Sequence, residues 1–320
     1  MKASVYTKYG PPEVLQVKEV SKPTPKPKEI LIKVFAATVN RTDCAMLRAK
    51  PFIMRFFTGL FKPKKSVLGT DFAGQIAAIG TEVTSFKVGD KVFGFDDAGS
   101  SSHAEYLTIS VSNAVITLPE NTSYEQATAS IEGAHYAYNF LNKVTFKKGQ
   151  HVLVNGATGA IGSAGVQLLK NWDVDVTAVC AKKDSDLVIS LGADTVIDYT
   201  SADFTKTDKK FDFVFDMVGK SSFGKCKSIL KPHGIYISSE LGAWSQNLFY
   251  TLATPLFGGK KVRFPFPFDK KGSLLYMKQQ IEDGRFKAVI DRTLPLEQIA
   301  EAFRYVETGQ KIGNVVIRMT

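Results

Sequence analysis

Cysteine is scarce in this chain of 320 residues: Cys44, Cys180 and Cys226 are the three present, far apart and odd in number. Such usage draws neither a disulfide framework nor a zinc cluster of familiar spacing. The opening run Met1-Lys2-Ala3-Ser4-Val5-Tyr6 lacks the apolar core of a signal peptide, which makes the cytoplasm the expected compartment. Long hydrophobic runs are missing too. The longest uncharged stretch, 241–259, is interrupted by Ser245, Gln246, Asn247, Pro255 and glycines, and makes a poor bilayer span. No internal repeat and no low-complexity tract occurs. Acidic residues are in deficit, 31 against 41 basic ones, for a formal net charge of +10. That excess suits an anionic partner. With 44% hydrophobic and 22% charged residues, the chain reads as an ordinary globular protein long enough for two substantial cores.

What is present divides in two. Residues 1–120 read as β-rich, with short apolar or alternating runs at 30–39, 71–79, 91–95 and 103–109 separated by turn material. From about Tyr124 apolar strands at 151–155, 174–180, 194–198, 211–215 and 234–238 alternate with helical stretches, the pattern of a parallel sheet covered on both faces. A sixth strand is expected near 262–264. Helices are expected at 274–283 and 296–307, and a last strand at 314–318.

The most informative run is Val152-Leu153-Val154-Asn155-Gly156-Ala157-Thr158-Gly159-Ala160-Ile161-Gly162. A strand ends at three glycines spaced three apart, and an amphipathic segment follows at once. Glycines at such a corner let a phosphate approach the helix N-terminus, as in a dinucleotide site, although the spacing is G-x-x-G-x-x-G. The next strand ends at Lys182 and Lys183. An NAD site usually places an acid there, and an NADP site positive charge. The lysines point to NADPH, with Asp184 and Asp186 close behind as the counter-argument. A dinucleotide accounts for the positive charge without invoking nucleic acid.

Across the whole chain the motifs resemble the medium-chain dehydrogenase/reductase superfamily, in its zinc-free quinone oxidoreductase (zeta-crystallin-like) branch. They are Val39-Asn40-Arg41-Thr42-Asp43, Leu68-Gly69-Thr70-Asp71-Phe72-Ala73-Gly74, Val88-Gly89-Asp90-Lys91-Val92-Phe93-Gly94, the glycine run, Phe211-Asp212-Phe213-Val214-Phe215-Asp216-Met217-Val218-Gly219 and Ile312-Gly313-Asn314-Val315-Val316-Ile317. The resemblance implies an α/β chain: a Rossmann-type doubly wound parallel sheet (124–265) inserted in a GroES-like β-barrel catalytic domain (1–123 and 266–320), with the cofactor in the cleft between them. It also implies that Val218 and Asn314 approach the cofactor, and that the protein is a homodimer; the basic, aromatic run 260–268 reads as ending the sheet and joining a subunit interface rather than binding nucleic acid.

Zinc alcohol dehydrogenases of this superfamily typically carry Cys where Asn40 stands and His where Thr70 stands. Asn and Thr are poor zinc ligands, so neither a catalytic nor a structural metal is expected. Without that Lewis acid the fitting substrate is already electrophilic: a quinone or an α,β-unsaturated carbonyl reduced by NADPH. Asn40 either hydrogen-bonds substrate or cofactor or fixes the loop after its strand. Asp43 reads as orienting that loop, and Thr70 as a hydroxyl donor. His135 or Tyr136 stands beside the nicotinamide to assist protonation, unless His135 is simply a hydrogen-bonded residue at a helix start. Enoyl-thioester reductases of the superfamily place a tyrosine donor shortly after the loop at Asn40. No tyrosine lies between Tyr9 and Tyr106 here, which disfavours that substrate.

Residues 48–65 hold six basic residues and no acidic one, interleaved with Phe52, Ile53, Met54, Phe56, Phe57, Leu60 and Phe61. They read as the wall of an apolar cleft, with a peripheral membrane anchor as the rival. Two other readings of the whole chain remain: a zinc-dependent alcohol dehydrogenase, and a non-enzymatic NADPH-binding protein with a membrane-surface or crystallin-like role.

Overall fold

The computed structural model describes residues 1–52 and 54–319. Ile53 and the side chain of Phe57, both in the basic aromatic segment, lie outside the described residues. The chain forms two compact units, Met1–Glu132 with Asp269–Thr320, and Gly133–Phe268.

The first unit opens with an antiparallel ribbon of β1 (Lys2–Val5) and β2 (Gln16–Glu19). Its spine is the long strand β3 (Glu29–Val39), whose alternating Ile30, Ile32 and Val34 are buried. Helices α1 (Arg41–Arg48) and α2 (Met54–Thr58) follow, then β4 (Asp71–Ile79), β5 (Lys91–Phe95), β6 (Tyr106–Ser110), β7 (Ala114–Thr117) and α3 (Tyr124–Ala129). The strand expected at 103–109 begins only at Tyr106. The His103 amide instead donates to the Leu68 carbonyl, and an isolated bridge to β1 is closed by Ser4 donating to the His103 carbonyl and Glu105 donating to the Lys2 carbonyl.

The second unit runs from α4 (Glu132–Leu141) through β8 (His151–Asn155), α5 (Ala160–Leu169), β9 (Asp175–Cys180), α6 (Ser185–Ser190) and β10 (Thr195–Asp198). It continues with β11 (Phe211–Asp216), α7 (Phe223–Cys226), β12 (Leu230–Ser238), α8 (Gln246–Ala253) and β13 (Lys261–Arg263). All pairings are parallel, in the order β10-β9-β8-β11-β12-β13. This is the doubly wound order, reversing direction between β8 and β11. The core strands read as near-continuous apolar runs because both faces are buried, with Leu153, Val179, Val214 and Tyr236 at the centre.

The chain then returns to the first unit with α9 (Lys270–Glu282), β14 (Ile290–Pro295), α10 (Ile299–Glu307) and β15 (Asn314–Arg318). The larger sheet runs β14-β15-β3-β4-β5-β7, with β6 also on β3. One side of β3 is shared in sequence: residues 29–33 pair with β6 and residues 36–39 with β15. Irregularities after Leu31 and Val34 let it bend between them. Helix α10 buries Ile299, Ala302, Phe303 and Val306 against this sheet, and its other face is polar.

The unit boundaries fall at 132/133 and 268/269, not at 123/124 and 265/266. Helix α3 buries Ala127 in a cluster with Ala73, Phe93 and Phe95 of β4 and β5, which places it in the first unit. A change from strand to helix in the sequence is therefore not the point where the fold changes unit.

Candidate active site

Each unit carries one set of candidate side chains. In the second, β8 ends at Asn155 and the backbone turns at Gly156, whose φ of +79° suits glycine. A Cβ on Gly156 would lie 2.6 Å from Cβ of Val218, and one on Gly162 would be driven into the carbonyl oxygen of Gly156. The fold itself thus requires both glycines. Gly159 differs: a Cβ there would meet only the Gly156 oxygen, at 3.6 Å, and its φ of −69° is open to any residue.

Gly159 is also the N-cap of α5 and contributes no side-chain cap. The first amides of a helix need acceptors, and the helix dipole favours an anion at that end. Ala160 and Ile161 open the helix beyond it, while Ala157 is buried and Thr158 is half-buried in the turn. This open, glycine-lined corner fits the pyrophosphate of a dinucleotide.

Lys182 and Lys183 lie in a single turn just past β9, both exposed, and neither side chain has an ion-pair partner among the described residues. On the neighbouring β10, Asp198 accepts from the Lys182 amide at 3.2 Å and from the Thr200 and Ser201 hydroxyls at 2.7 and 3.0 Å. Those hydroxyl and amide bonds hold its carboxyl below the usual range. Its charge is occupied locally. Tyr199, largely exposed at the same rim, escaped the sequence reading because a lone tyrosine after a strand carries no motif.

His135 and Tyr136 also belong to this unit. His135 is buried within α4, and its carbonyl accepts from Asn139 Nδ2 at 2.8 Å. Its ring stands 5.5 Å from the half-buried Tyr136 ring.

In the first unit, β3 delivers Asn40 to the N-cap of α1. Asn40 Oδ1 accepts from the Asp43 amide at 2.9 Å, and Asp43 Oδ2 accepts from the Asn40 amide at 3.1 Å, a reciprocal capping box. Asn40 Nδ2 then donates to Thr70 Oγ1 at 2.7 Å. Asn40, Asp43 and Thr70 are thus brought together and all buried. Asn314 opens β15, where its Nδ2 donates to the Val289 carbonyl at 3.0 Å.

Around them lies a buried polar network that the sequence reading did not assign. Asp71 accepts from the Thr38 amide (2.7 Å), the Thr38 hydroxyl (2.5 Å) and the Thr128 hydroxyl (3.0 Å). Burial outweighs these bonds and pushes its carboxyl up to about 6. Glu132 accepts from Thr42 Oγ1 at 3.1 Å and is pushed by burial to about 7, with Lys311 the opposing attraction. Burial in turn depresses the Lys311 ammonium, which donates to the Gly313 carbonyl. Asp43 is raised well above the usual range by burial and by Asp71. His103, buried and pulled down to about 4, is a neutral imidazole whose Nε2 donates to the Thr38 carbonyl at 2.9 Å. Desolvation also raises the buried Cys44 thiol, which holds its proton. Among the described residues no group of three or more His, Cys, Asp or Glu could hold a metal ion.

The comparisons with known proteins agree with this architecture. Residues 26–120 match the alcohol dehydrogenase GroES-like domain, and 191–317 match the zinc-binding dehydrogenase family. The chain is 32% identical to 2-methylene-furan-3-one reductase of Solanum lycopersicum, over 99% of this chain and 79% of that protein. It is also 32% identical to quinone-oxidoreductase QR1, chloroplastic, of Triphysaria versicolor, over 99% and 98%. The quinone oxidoreductase of Coxiella burnetii superposes with a TM-score of 0.88 at 25% identity, covering 100% of this chain and 99% of that one. The chain is therefore an oxidoreductase, and it belongs to the quinone oxidoreductase branch of the medium-chain dehydrogenase/reductase superfamily.

Proposed function

We propose that this protein reduces quinones or α,β-unsaturated carbonyl compounds with NADPH, without zinc. The observation that carries the reading is the buried Asn40 Nδ2–Thr70 Oγ1 hydrogen bond, at the two positions where zinc relatives carry ligands. It joins an amide to a hydroxyl, and neither supplies the thiolate, imidazole or carboxylate that zinc needs. The matched family is described as zinc-binding dehydrogenase, but the donors at these positions in this chain are not zinc donors.

When bound, NADPH would supply a hydride. The glycine corner before α5 would hold its pyrophosphate, and Lys182 and Lys183 would face the 2′-phosphate with unpaired positive charge. Without a Lewis acid the acceptor must spread its own developing negative charge, which a quinone or enone does by conjugation. A furan-3-one bearing a 2-methylene group, as in one relative's name, is such an enone.

The test is oxidation of NADPH, with NADH in parallel, by chelator-treated protein offered benzoquinone, naphthoquinone, an alkenal, a cyclic enone and a simple ketone. NADPH-preferring turnover of the conjugated acceptors is expected. Zinc-dependent oxidation of simple alcohols, with no turnover of quinones or enones, overturns the proposal.

A further inference from the structure

Reduction of a conjugated carbonyl consumes a proton as well as a hydride, so such a site needs an acid. Three carboxyls are buried in the first unit among the described residues, and they are not alike. Asp71 and Asp43 are 0% exposed. Asp71 is occupied by Thr38 and Thr128, and Asp43 is held in the capping box. Neither is open to a substrate. Glu132 is 8% exposed, and its carboxyl has one hydrogen-bond partner among the described residues, the Thr42 hydroxyl on Oε1. Its other oxygen accepts nothing, yet it is not one of the unbonded atoms sealed from solvent. That oxygen can carry a proton and release it.

Two contacts, one inside each unit, fix where Glu132 stands. It is the last residue of the first unit, and its partner Thr42 lies in the first turn of α1, two residues after Asn40. Gly133 is the first residue of the second unit and rests on Ala160, which opens α5 at the glycine corner. A Cβ on Gly133 would lie 2.7 Å from the carbonyl carbon and the Cβ of Ala160, so a side chain there would push the corner away. Buried Lys311 and exposed Arg41 face Glu132 with positive charge, Asp71 and Asp43 with negative, and His135 and Tyr136 follow it along α4. Among the described residues neither cation forms an ion pair with it. Burial outweighs their attraction, and the carboxyl keeps its proton up to about pH 7.

Resting on the reductase reading, we propose that Glu132 supplies the proton that completes reduction of an enone. Once hydride has added at the β carbon, the substrate is an enolate. The O–H bond at Glu132 Oε2 then breaks, its proton forms a C–H bond at the α carbon, and the carboxylate regains a proton from water. One NADPH is oxidised for each enone reduced to a saturated ketone. The whole protein, Glu132→Gln and Tyr136→Phe are each given NADPH with an α-methyl cyclic enone and with naphthoquinone. Gln keeps the volume and an oxygen for Thr42 but holds no acidic proton. Glu132→Gln should lower kcat for the enone about a hundredfold or more and change KM about threefold or less. The quinone should lose about tenfold or less, because a hydroquinone anion can take its proton from water. For the parent, kcat/KM for the enone should fall as pH rises through about 7, and that limb should vanish in Glu132→Gln. The parent should give one configuration at the α carbon, and Glu132→Gln a mixture. With no substrate present, an infrared carboxyl band should titrate near pH 7 in the parent and be missing from Glu132→Gln.

Enone turnover, pH limb and α configuration all kept in Glu132→Gln overturn the proposal. So does their loss in Tyr136→Phe instead, which would make that phenol the donor. Equal loss on both acceptors with a raised KM would give Glu132 a structural role and overturn it too. In each of these cases the parent still reduces enone and quinone, so the reductase reading stands. A parent inert toward both acceptors overturns that reading, and this proposal with it.

Discussion

At the scale of single residues, the first unit concentrates burial on groups that prefer water. Asp71, Glu132 and Asp43 are all displaced upward, chiefly by desolvation, while His103 is displaced downward. These shifts act on stability in opposite directions. Glu132 has a folded pKa of about 7, above its unfolded value, so the folded state binds the extra proton. Its contribution is intact below about pH 4.5 and is lost as pH rises to 7. His103 is depressed to about 4, so the unfolded state binds the extra proton between there and about 6.5, and stability is lost as pH falls through that window. Glu132→Gln removes the first effect and leaves the second. Urea unfolding at a series of pH values should show the variant gaining on the parent steadily from pH 4.5 to 7. A constant difference across that range would mean that Glu132 does not titrate there.

Little of this network is legible in the sequence. Asn40 and Asp43 form a local signal, a capping pair three residues apart. By contrast Thr42 meets Glu132 across 90 positions, and Thr38 meets His103 across 65. No composition or period records such pairings, because only the folded sheet brings them together. His103 looks like a loop histidine in the sequence for the same reason.

At the scale of elements, the strand–glycine–helix corner separates glycines that build the fold from one left free for a ligand. Ala at 162 collides with the Gly156 carbonyl, whereas Ala at 159 sits at ordinary contact distance. Gly159→Ala should therefore hold the stability of the protein within about 1 kcal/mol, since the N-cap loss and the gain in chain stiffness are both small. Its affinity for NADPH, read by titration calorimetry, should fall tenfold or more. Unchanged affinity would show that no phosphate passes over residue 159. The elements that sequence reading located well are those buried on both faces, such as β8 and β11, whose apolar runs leave no other reading. Those it passed over, β1, β2 and β14, are short and half-exposed, so no clear alternation survives. Helix α3 falls beyond the expected boundary at 123/124 yet packs in the first unit, because its partners β4 and β5 lie far back in the chain.

At the scale of the whole molecule, the net charge of +10 meets a cofactor that carries several negative charges. On the proposed binding of the 2′-phosphate by Lys182 and Lys183, the KM for NADPH should rise with ionic strength more steeply than that for NADH. With both lysines changed to Gln, the preference for NADPH should fall roughly ten- to a hundredfold, as charge-assisted bonds of about 1.5–3 kcal/mol are lost. Equal salt dependence for the two cofactors in the parent protein would place the 2′-phosphate elsewhere.

The interrupted first unit bears on how the protein comes to exist. Residues 36–39 of β3 are made long before their partner β15. Until β15 leaves the ribosome, that strand edge, with buried Ala36, Ala37 and Val39, waits without its neighbour. The inserted unit has no such delay, since all of its strands lie within 133–268. Folding therefore does not follow the order of synthesis: the middle of the chain can mature while its beginning is still unfinished. In that interval the nascent protein is most open to pairing with the wrong strand, and a ribosome that stalls before β15 has emerged would leave it there.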